Sequence, residues 1–272
     1  MANNPQAFRG AAPYYAIGRP PYSPALRETL ARELSLDGTG RLLDVGCGPG
    51  ILAIELAPLF SEVIGLDPES GMLAEGRRRA DEAGLSQVRW IEALAEDIPE
   101  LPLEPCRVVT FGQSFHRVDR SAVTEAVYDL LEPGGAIVLV SHSVRVRPRP
   151  SGPDLPDIPH TEVRALIAEY LGTEGVPAAE PVPDDERWEK SLEKSRFGEA
   201  RIVYAPGRTD YVRDIDSVVA NYYSMSYATP PLFGDSRAEY ESDLRALLAG
   251  HSPRGLFWDW PGDTEIDYAV KH

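Results

Sequence analysis

Short apolar runs alternate with amphipathic, helix-like segments along the first half of the chain. The runs predict five strands, with the sequences RLLDVG, EVIGLD, VRWIEA, RVVTFG and AIVLVS. Helices are predicted between them and also before the first, where Ser23 and Pro24 are residue types that start helices. Strands that alternate with helices form a parallel sheet, and strands this continuously apolar are buried on both faces. The pattern therefore predicts an α/β fold with helices on both sides of the sheet.

The pattern changes after residue 142. A proline-rich stretch follows, and it contains one predicted helix, Thr161–Leu171. We interpret this stretch as a cap inserted into the fold, because long irregular insertions are usually functional; a surface loop without a role is the alternative. Farther on, the pattern predicts a strand (ARIVYA), a helix over Ser236–Leu248 and two short strands (GLFWDW and EIDYAV).

The length of 272 residues suits one α/β domain with insertions better than two full domains. We therefore expect a single domain over residues 1–272. Its predicted parts are an N-terminal lid segment (1–22), a core (23–142), the cap (143–199) and the strands and helices that complete the sheet (200–272).

The charge balance argues against two classes of partner. Forty-three acidic and 27 basic residues give a formal charge of −16, which repels both nucleic acid and anionic membrane surfaces. The two cysteines cannot build a disulfide framework, and no metal-site spacing is visible. No export signal or apolar run of membrane-spanning length is present, so we expect a cytoplasmic protein, either a monomer or a homodimer.

The segment Leu42–Leu52, LLDVGCGPGIL, carries the clearest chemical signal. A strand leads into a turn with Gly46, Gly48 and Gly50, where glycine lets the backbone come close to a ligand. A dinucleotide fingerprint would place its third glycine one position later. Asp44 would also repel a pyrophosphate, whereas it suits an ammonium or sulfonium group. The turn therefore favours a cationic nucleoside cofactor.

The motif DVGCGPG resembles the first motif of class I methyltransferases, which use S-adenosylmethionine and release S-adenosylhomocysteine. Later segments, ALAEDIPEL, VVTFGQSFHRVD and LLEPGGAIVLV, resemble further motifs of the small-molecule members, so the resemblance covers about residues 10–142. It implies a Rossmann-like three-layer sandwich with a mostly parallel seven-stranded sheet whose last strand is antiparallel. It also implies methyl transfer to a small molecule, such as a secondary metabolite.

The resemblance assigns roles to particular residues. The glycine turn would hold the methionine part of the cofactor, Asp67 the ribose hydroxyls, and Tyr15 and Arg19 would close over the cofactor's carboxylate end. The complete set implied for the cofactor is Tyr15, Arg19, Asp44, Gly46, Cys47, Gly48, Gly50, Asp67, Pro68, Met72, Ala95, Glu96, Gln113 and Ser114.

Methyl transfer needs a titratable side chain only where the acceptor must lose a proton. His116, just beyond the fourth strand, is the predicted catalytic residue because imidazole accepts a proton near neutral pH. A packing role is the alternative for His116, and His142 is the second choice of base. The aromatic residues between Tyr204 and Phe233 suit either an acceptor wall or ordinary core.

Two rival functions stay open at the level of the sequence. One is an NAD(P)-dependent oxidoreductase, which the glycine spacing and Asp44 disfavour. The other is a module that binds the cofactor without turnover, because a fold does not guarantee a function.

Overall fold

The computed structural model describes residues 7–143, 149–173, 176 and 188–272. Residues 1–6 of the predicted lid segment and parts of the predicted cap therefore lie outside the described residues. The strands are β1 Arg41–Val45, β2 Glu62–Asp67, β3 Val88–Glu92, β4 Cys106–Gly112, β5 Leu131–Ser143, β6 Arg201–Ala205, β7 Val212–Asp214, β8 Leu256–Trp258 and β9 Asp263–Val270.

Seven of these strands form one sheet in the order β3-β2-β1-β4-β5-β9-β6. The first five strands pair in parallel, and β9 runs antiparallel to both β5 and β6. The expectation of a mostly parallel, seven-stranded sheet with an antiparallel last strand is confirmed. Because the chain reverses its direction of winding between β1 and β4, the carboxyl ends of these two strands border a crevice where ligands bind in such sheets.

The described helices are α1 Ala12–Gly18, α2 Leu26–Glu33, α3 Ile51–Leu56, α4 Ser70–Glu82, α5 Arg120–Leu130, α6 His160–Leu171, α7 Trp188–Glu193, α8 Ile215–Tyr223 and α9 Arg237–His251. Several start at an acidic cap that satisfies a free backbone N–H group. Glu69 accepts from the Met72 N–H (2.7 Å), Asp119 from Ala122 (3.1 Å) and Asp214 from Ser217 (2.8 Å).

The sheet has a hydrophobic core on each face. Successive residues of β1 point to opposite sides, so Leu42 packs with α2 and α3 while Leu43 packs with α5 on the other side. Both leucines are fully buried. This two-sided burial is the physical reason that the strand sequences are continuously apolar.

The predicted start of α2 differs from the structure. The helix begins at Leu26, after Ser23 and Pro24. The Ser23 N–H donates to Thr264 Oγ1 (2.7 Å), and its hydroxyl donates to the Pro206 carbonyl (2.6 Å). These contacts fasten Ser23 to the region around β6 and β9, and tertiary contact thus replaces the local cap.

A third hydrophobic cluster lies apart from the sheet, and we call it the cap cluster. It joins α6, α8 and α9, and its fully buried members include Val163, Tyr223 and Tyr240. Part of the aromatic-rich segment between Tyr204 and Phe233, for which no helix is predicted, forms α8 within this cluster. The predicted strand GLFWDW is β8, which pairs with β7 in a separate two-stranded sheet. Among the described residues, no helix is long and apolar enough to cross a membrane.

Candidate functional site

The glycine turn lies at the carboxyl end of β1, beside the end of β4. Gly46 and Gly48 have φ angles of 64° and 53°, in the left-handed region that favours glycine. A Cβ atom on Gly46 would lie 2.6 Å from Ser114 Cβ, whereas one on Gly48 would meet only the Tyr15 ring at 3.9 Å. Gly46 therefore allows β4 to approach closely, and Gly48 leaves backbone open toward the crevice.

Gly50 has a different role from the other two glycines. It caps α3 with a φ of 71°, and a Cβ atom there would overlap the ring of Trp90. Gly50 does not line either of the cavities described below. The geometry therefore explains this glycine by packing, and contact with a cofactor at Gly50 stays a prediction of the resemblance.

Asp67 ends β2 and points back into the glycine turn. One of its oxygens accepts from the Gly48 N–H (2.8 Å) and the other from the Glu69 N–H (2.9 Å). Desolvation raises the pKa of Asp67 above its usual value, against the opposite effect of these two bonds. Each carboxylate oxygen keeps a second lone pair, so Asp67 can still accept hydrogen bonds from a diol.

Asp44 lies deeper, at the end of β1. Its carboxylate accepts from the Thr110 hydroxyl (2.8 Å) and from the Ala53 N–H (3.1 Å) in the first turn of α3. Burial raises the pKa of Asp44 from 3.8 to about 7, and the charge of Asp67 adds to the effect. A cation placed beside Asp44 would lower that pKa again, so the site is complementary to an ammonium group.

Two neighbouring cavities open along this edge of the sheet. The first is an open cleft of about 820 Å³, and its lining includes Asp67, Met72 and Ala95. Most of the predicted cofactor residues line it: Tyr15, Gly46, Gly48, Asp67, Pro68, Met72, Ala95, Glu96, Gln113 and Ser114. The sequence analysis missed Phe8, Leu94 and Arg117 among its lining residues. Phe8 lies outside the quoted motifs, whereas Leu94 and Arg117 lie within ALAEDIPEL and VVTFGQSFHRVD but were given no role there.

The second cavity, of about 660 Å³, lies on the side of β5. Its lining includes four further residues from the predicted set or the alternatives, namely Arg19, Asp44, Cys47 and His142. Tyr15, Gly46, Gly112 and Gln113 line both cavities. Gln113 has a φ of 57°, and its N–H donates to the Val140 carbonyl (3.0 Å). A non-glycine residue in this region of φ is uncommon and is often found at functional sites.

Helix α1 covers the junction of the two cavities. Tyr15 comes from α1, and Arg19 follows it with its guanidinium 4.8 Å from the centre of the Tyr15 ring. Arg19 Nη2 donates to the Ser224 carbonyl (2.8 Å), and the buried Arg213 donates to the Gly18 carbonyl (2.6 Å). The cover is therefore fastened to Ser224, just after α8, and to Arg213 in β7. Tyr14 of α1 also packs against the cap cluster.

His116 does not line either cavity. It lies in a short turn, Phe115–Arg117, between Ser114 and Arg117, which both line the first cavity. Desolvation of the ring and the positive charges of Arg117, Arg120 and Arg19 lower the pKa of His116 to about 4. The catalytic role of His116 stays a prediction, and its position gives no support to it.

The donor set fits a nucleoside that carries an amino acid. Asp67 offers acceptors for ribose hydroxyls, and Met72 and Ala95 offer apolar walls for a base. Asp44 and Arg19 place opposite charges in the second cavity, which suits the ammonium and carboxylate groups of a zwitterion. Among the described residues, no cluster of acidic, histidine or cysteine side chains could hold a metal ion.

Comparison with known proteins agrees with this geometry. Residues 42–135 match the family model described as "Methyltransferase domain". Fold, glycine turn and family match together show that the chain carries a class I, Rossmann-like, S-adenosylmethionine-dependent methyltransferase domain. The matched residues include most of β1, all of β2 to β4, the glycine turn and Asp67. They also supply most of the residues that line the first cavity.

Two curated relatives match the same part of the chain. A ubiquinone biosynthesis O-methyltransferase of Ruegeria pomeroyi is 36% identical over 95 residues, which cover 35% of this chain and 38% of the relative. A protein of Saccharomyces cerevisiae described as a probable S-adenosylmethionine-dependent methyltransferase is 32% identical over 95 residues, covering 35% and 33%. The matched stretch thus spans little more than a third of these relatives.

Solved structures share the fold over most of the chain. The YcgJ protein of Bacillus subtilis aligns with a TM-score of 0.50 at 16% identity, covering 90% of this chain and 97% of that one. A precorrin 8W decarboxylase of Methanobacterium thermoautotrophicum aligns with a TM-score of 0.50 at 14% identity, covering 92% of each chain. At such low identity the likeness shows the fold alone, and the reaction must be argued from the site.

Proposed function

We propose that this protein transfers a methyl group from S-adenosylmethionine to a small-molecule acceptor. The observation that carries the proposal is the meeting of two cavities at Gly46 and Gln113, with Asp67 in one and Asp44 with Arg19 in the other. This arrangement has one compartment for a nucleoside and one for a charged amino-acid tail. A dinucleotide would instead bring its pyrophosphate toward Asp44 and be repelled.

The chain's residues would hold the cofactor at four points. Asp67 would accept the ribose hydroxyls, Met72 and Ala95 would pack on the adenine, and Asp44 and Arg19 would pair with the ammonium and carboxylate groups. When bound, the cofactor supplies an electrophilic methyl group on a sulfonium. The protein's task is then to align the acceptor and to exclude water, and α1 with Tyr15 contributes by covering the junction.

The acceptor is proposed to be a small molecule methylated on oxygen. The curated relatives that carry the name ubiquinone biosynthesis O-methyltransferase support oxygen as the acceptor atom. The net charge of −16 argues against a nucleic acid acceptor. A cytoplasmic location and a monomeric or homodimeric state remain predictions of the sequence.

Calorimetric titration with four compounds tests the cofactor. We expect S-adenosylmethionine and S-adenosylhomocysteine to bind, and NAD⁺ and NADPH not to bind. The reverse pattern would make the protein an oxidoreductase. Formation of S-adenosylhomocysteine with a panel of small phenols and hydroxy acids then tests turnover. Binding without product across the panel would favour a module that holds the cofactor without using it.

A further inference from the structure

A second histidine, His142, lines one of the two cavities, whereas His116 lines neither. His142 lies near the end of β5 and lines the second cavity together with Tyr22 and Leu52. The rings of His142 and Tyr22 are stacked, with centroids 5.1 Å apart and planes inclined by 22°. Stacking and the strand backbone fix the orientation of the imidazole, which is what a group that exchanges a proton requires.

The two ring nitrogens of His142 have different surroundings. Nδ1 of His142 is buried, and among the described residues no group forms a hydrogen bond with it. The Pro20 carbonyl, which lines the same cavity, is the backbone group that favours a proton on this ring. Because Nδ1 is shut off from solvent while the ring lines the cavity, Nε2 is the nitrogen on the cavity side. A neutral ring protonated on Nδ1 thus presents the Nε2 lone pair to the cavity.

Burial, more than the charged groups around it, keeps the ring of His142 neutral. Arg19 and Asp44 line the same cavity, Asp259 acts on the ring from outside it, and Tyr22 covers one ring face. Desolvation dominates these influences and lowers the pKa of His142 to about 4. The imidazole is therefore uncharged at neutral pH and can accept a hydrogen bond.

We infer that His142 accepts the proton of the acceptor hydroxyl through Nε2, and that the second cavity takes a small phenol-type acceptor; this inference rests on the proposed methyl transfer. The acceptor oxygen forms the new bond to the methyl carbon, the sulfur keeps the electron pair of the broken carbon–sulfur bond, and the hydroxyl proton passes to Nε2. A flat aromatic acceptor suits the part of the lining that is aromatic and apolar, which includes Tyr15, Tyr22 and Leu52.

A weakly basic imidazole is sufficient for this step. The acceptor oxygen becomes much more acidic as its bond to the methyl carbon forms, so it gives up its proton even to a base of low pKa. The ring does not change its charge between pH 6 and pH 9 in the free protein. If His142 is the base, the rate of methyl transfer should show no inflection near pH 6.5, whereas a histidine of ordinary pKa would produce one.

Nitrogen NMR of protein labelled with ¹⁵N-histidine tests the inference without turnover. The protein is saturated with S-adenosylhomocysteine, and phenol is titrated as the probe. We expect the unprotonated nitrogen of His142 to shift as phenol donates to it, and the signals of His116 and His251 to stay in place. The variant His142→Phe assigns the signal, and it keeps an aromatic ring on Tyr22 while it removes the nitrogen.

The same variant measures the hydrogen bond. Phenol should bind His142→Phe about fivefold more weakly than the unchanged protein, the effect of one neutral hydrogen bond. His251→Phe, an exposed position at the end of α9, is the matched control and should bind phenol as before. If His142→Phe does not fold, variants of the other four histidines assign the His142 signal by elimination, and its shift in the unchanged protein decides.

Three outcomes would overturn the inference. They are a shift of His116 in place of His142, no shift of any histidine at saturating phenol, and no binding of phenol at all. Failure of the proposed function would look different, because S-adenosylhomocysteine itself would then not bind in the first step. The two failures are therefore distinguishable within one titration series.

Discussion

The glycine turn and its cover are held in place by different kinds of contact. In the turn, Asp67 bonds to the Gly48 N–H and Asp44 to the Ala53 N–H, both within the first βαβ unit. The cover depends on residues far apart in the chain, as in the hydrogen bond from Arg213 to the Gly18 carbonyl.

Because of this difference, binding of the cofactor to the turn and covering of the site by α1 should depend on different residues. The turn can present its carboxylates and open backbone whether or not α1 is in place, since its bonds come from its own neighbourhood. The cover can only form once α8 is packed into the cap cluster. Substitutions in the turn should therefore weaken cofactor binding without loss of stability, and substitutions under α1 should loosen the cover.

The largest expected effect is at the contact between α1 and α8. Gly18 packs directly on the backbone of Ala220 and Asn221, and a Cβ atom there would overlap both residues. Because backbone cannot move aside as a side chain does, Gly18→Ala should lower the free energy of unfolding by about 2–3 kcal/mol. Urea denaturation measures this loss, and hydrogen exchange should rise over residues 11–18.

Gly250→Ala is the matched control for that substitution. Gly250 lies in α9 with open space around its Cα. Alanine there should leave stability unchanged or raise it by up to about 1 kcal/mol, since alanine favours a helix. Equal stability of the two variants would remove the argument that α1 is held by close backbone packing.

The next largest effect is expected at Asp67. Asp67→Ala removes the acceptors for the ribose hydroxyls and should weaken binding of S-adenosylhomocysteine by about 10- to 100-fold, the effect of two charge-assisted hydrogen bonds. Calorimetry measures the dissociation constant. Asp81→Ala, an exposed position on α4, is the control and should bind normally. An unchanged constant for Asp67→Ala would move the ribose site elsewhere.

Asp44 should show opposite effects on binding and on stability. Asp44→Asn removes the counter-charge for the cofactor's ammonium group and should weaken binding about tenfold. The buried carboxyl has a pKa raised from 3.8 to about 7, so its ionisation opposes folding increasingly as the pH rises through that window. The variant should therefore be more stable than the unchanged protein at pH 8, by about 1–2 kcal/mol, with no gain at pH 3.

A second readout applies to Asp44 in the unchanged protein. Binding of a cation beside a partly protonated carboxyl releases a proton. Calorimetry at pH 7 in buffers of different ionisation enthalpy should detect this release, and Asp44→Asn should abolish it. Proton release that persists in the variant would assign the titrating group to another residue.

The sheet could be predicted from the sequence because its signals are local. The apolar run of β2 ends at Asp67 in the sequence and in the structure, and the helix after it begins at Ser70, with Glu69 as its cap. The helix α8 has no such clear signal, because Ile215, Val218 and Val219 have side chains that favour strands. Asp214, three residues before Ser217, is the helix-start signal that could have revealed it.

Most residues that line the first cavity could be expected from motifs, whereas the sequence does not show which histidine lines the second. Asp67 and Met72 stand at fixed distances from the glycine turn, so motif spacing finds them. His116 and His142 both follow strands, and the sequence cannot tell which one faces a cavity. That depends on the position of Tyr22, which comes from another part of the chain and stacks on His142.

A crystal structure of the complex with S-adenosylhomocysteine tests the central claim most directly. The account predicts the ribose hydroxyls within hydrogen-bond distance of Asp67, the adenine between Met72 and Ala95, and the amino-acid end between Asp44 and Arg19. The sulfur should then lie near Gly46 and Gln113, facing the cavity that His142 lines. A ligand bound away from Asp67, or with its adenine in the second cavity, would contradict the account.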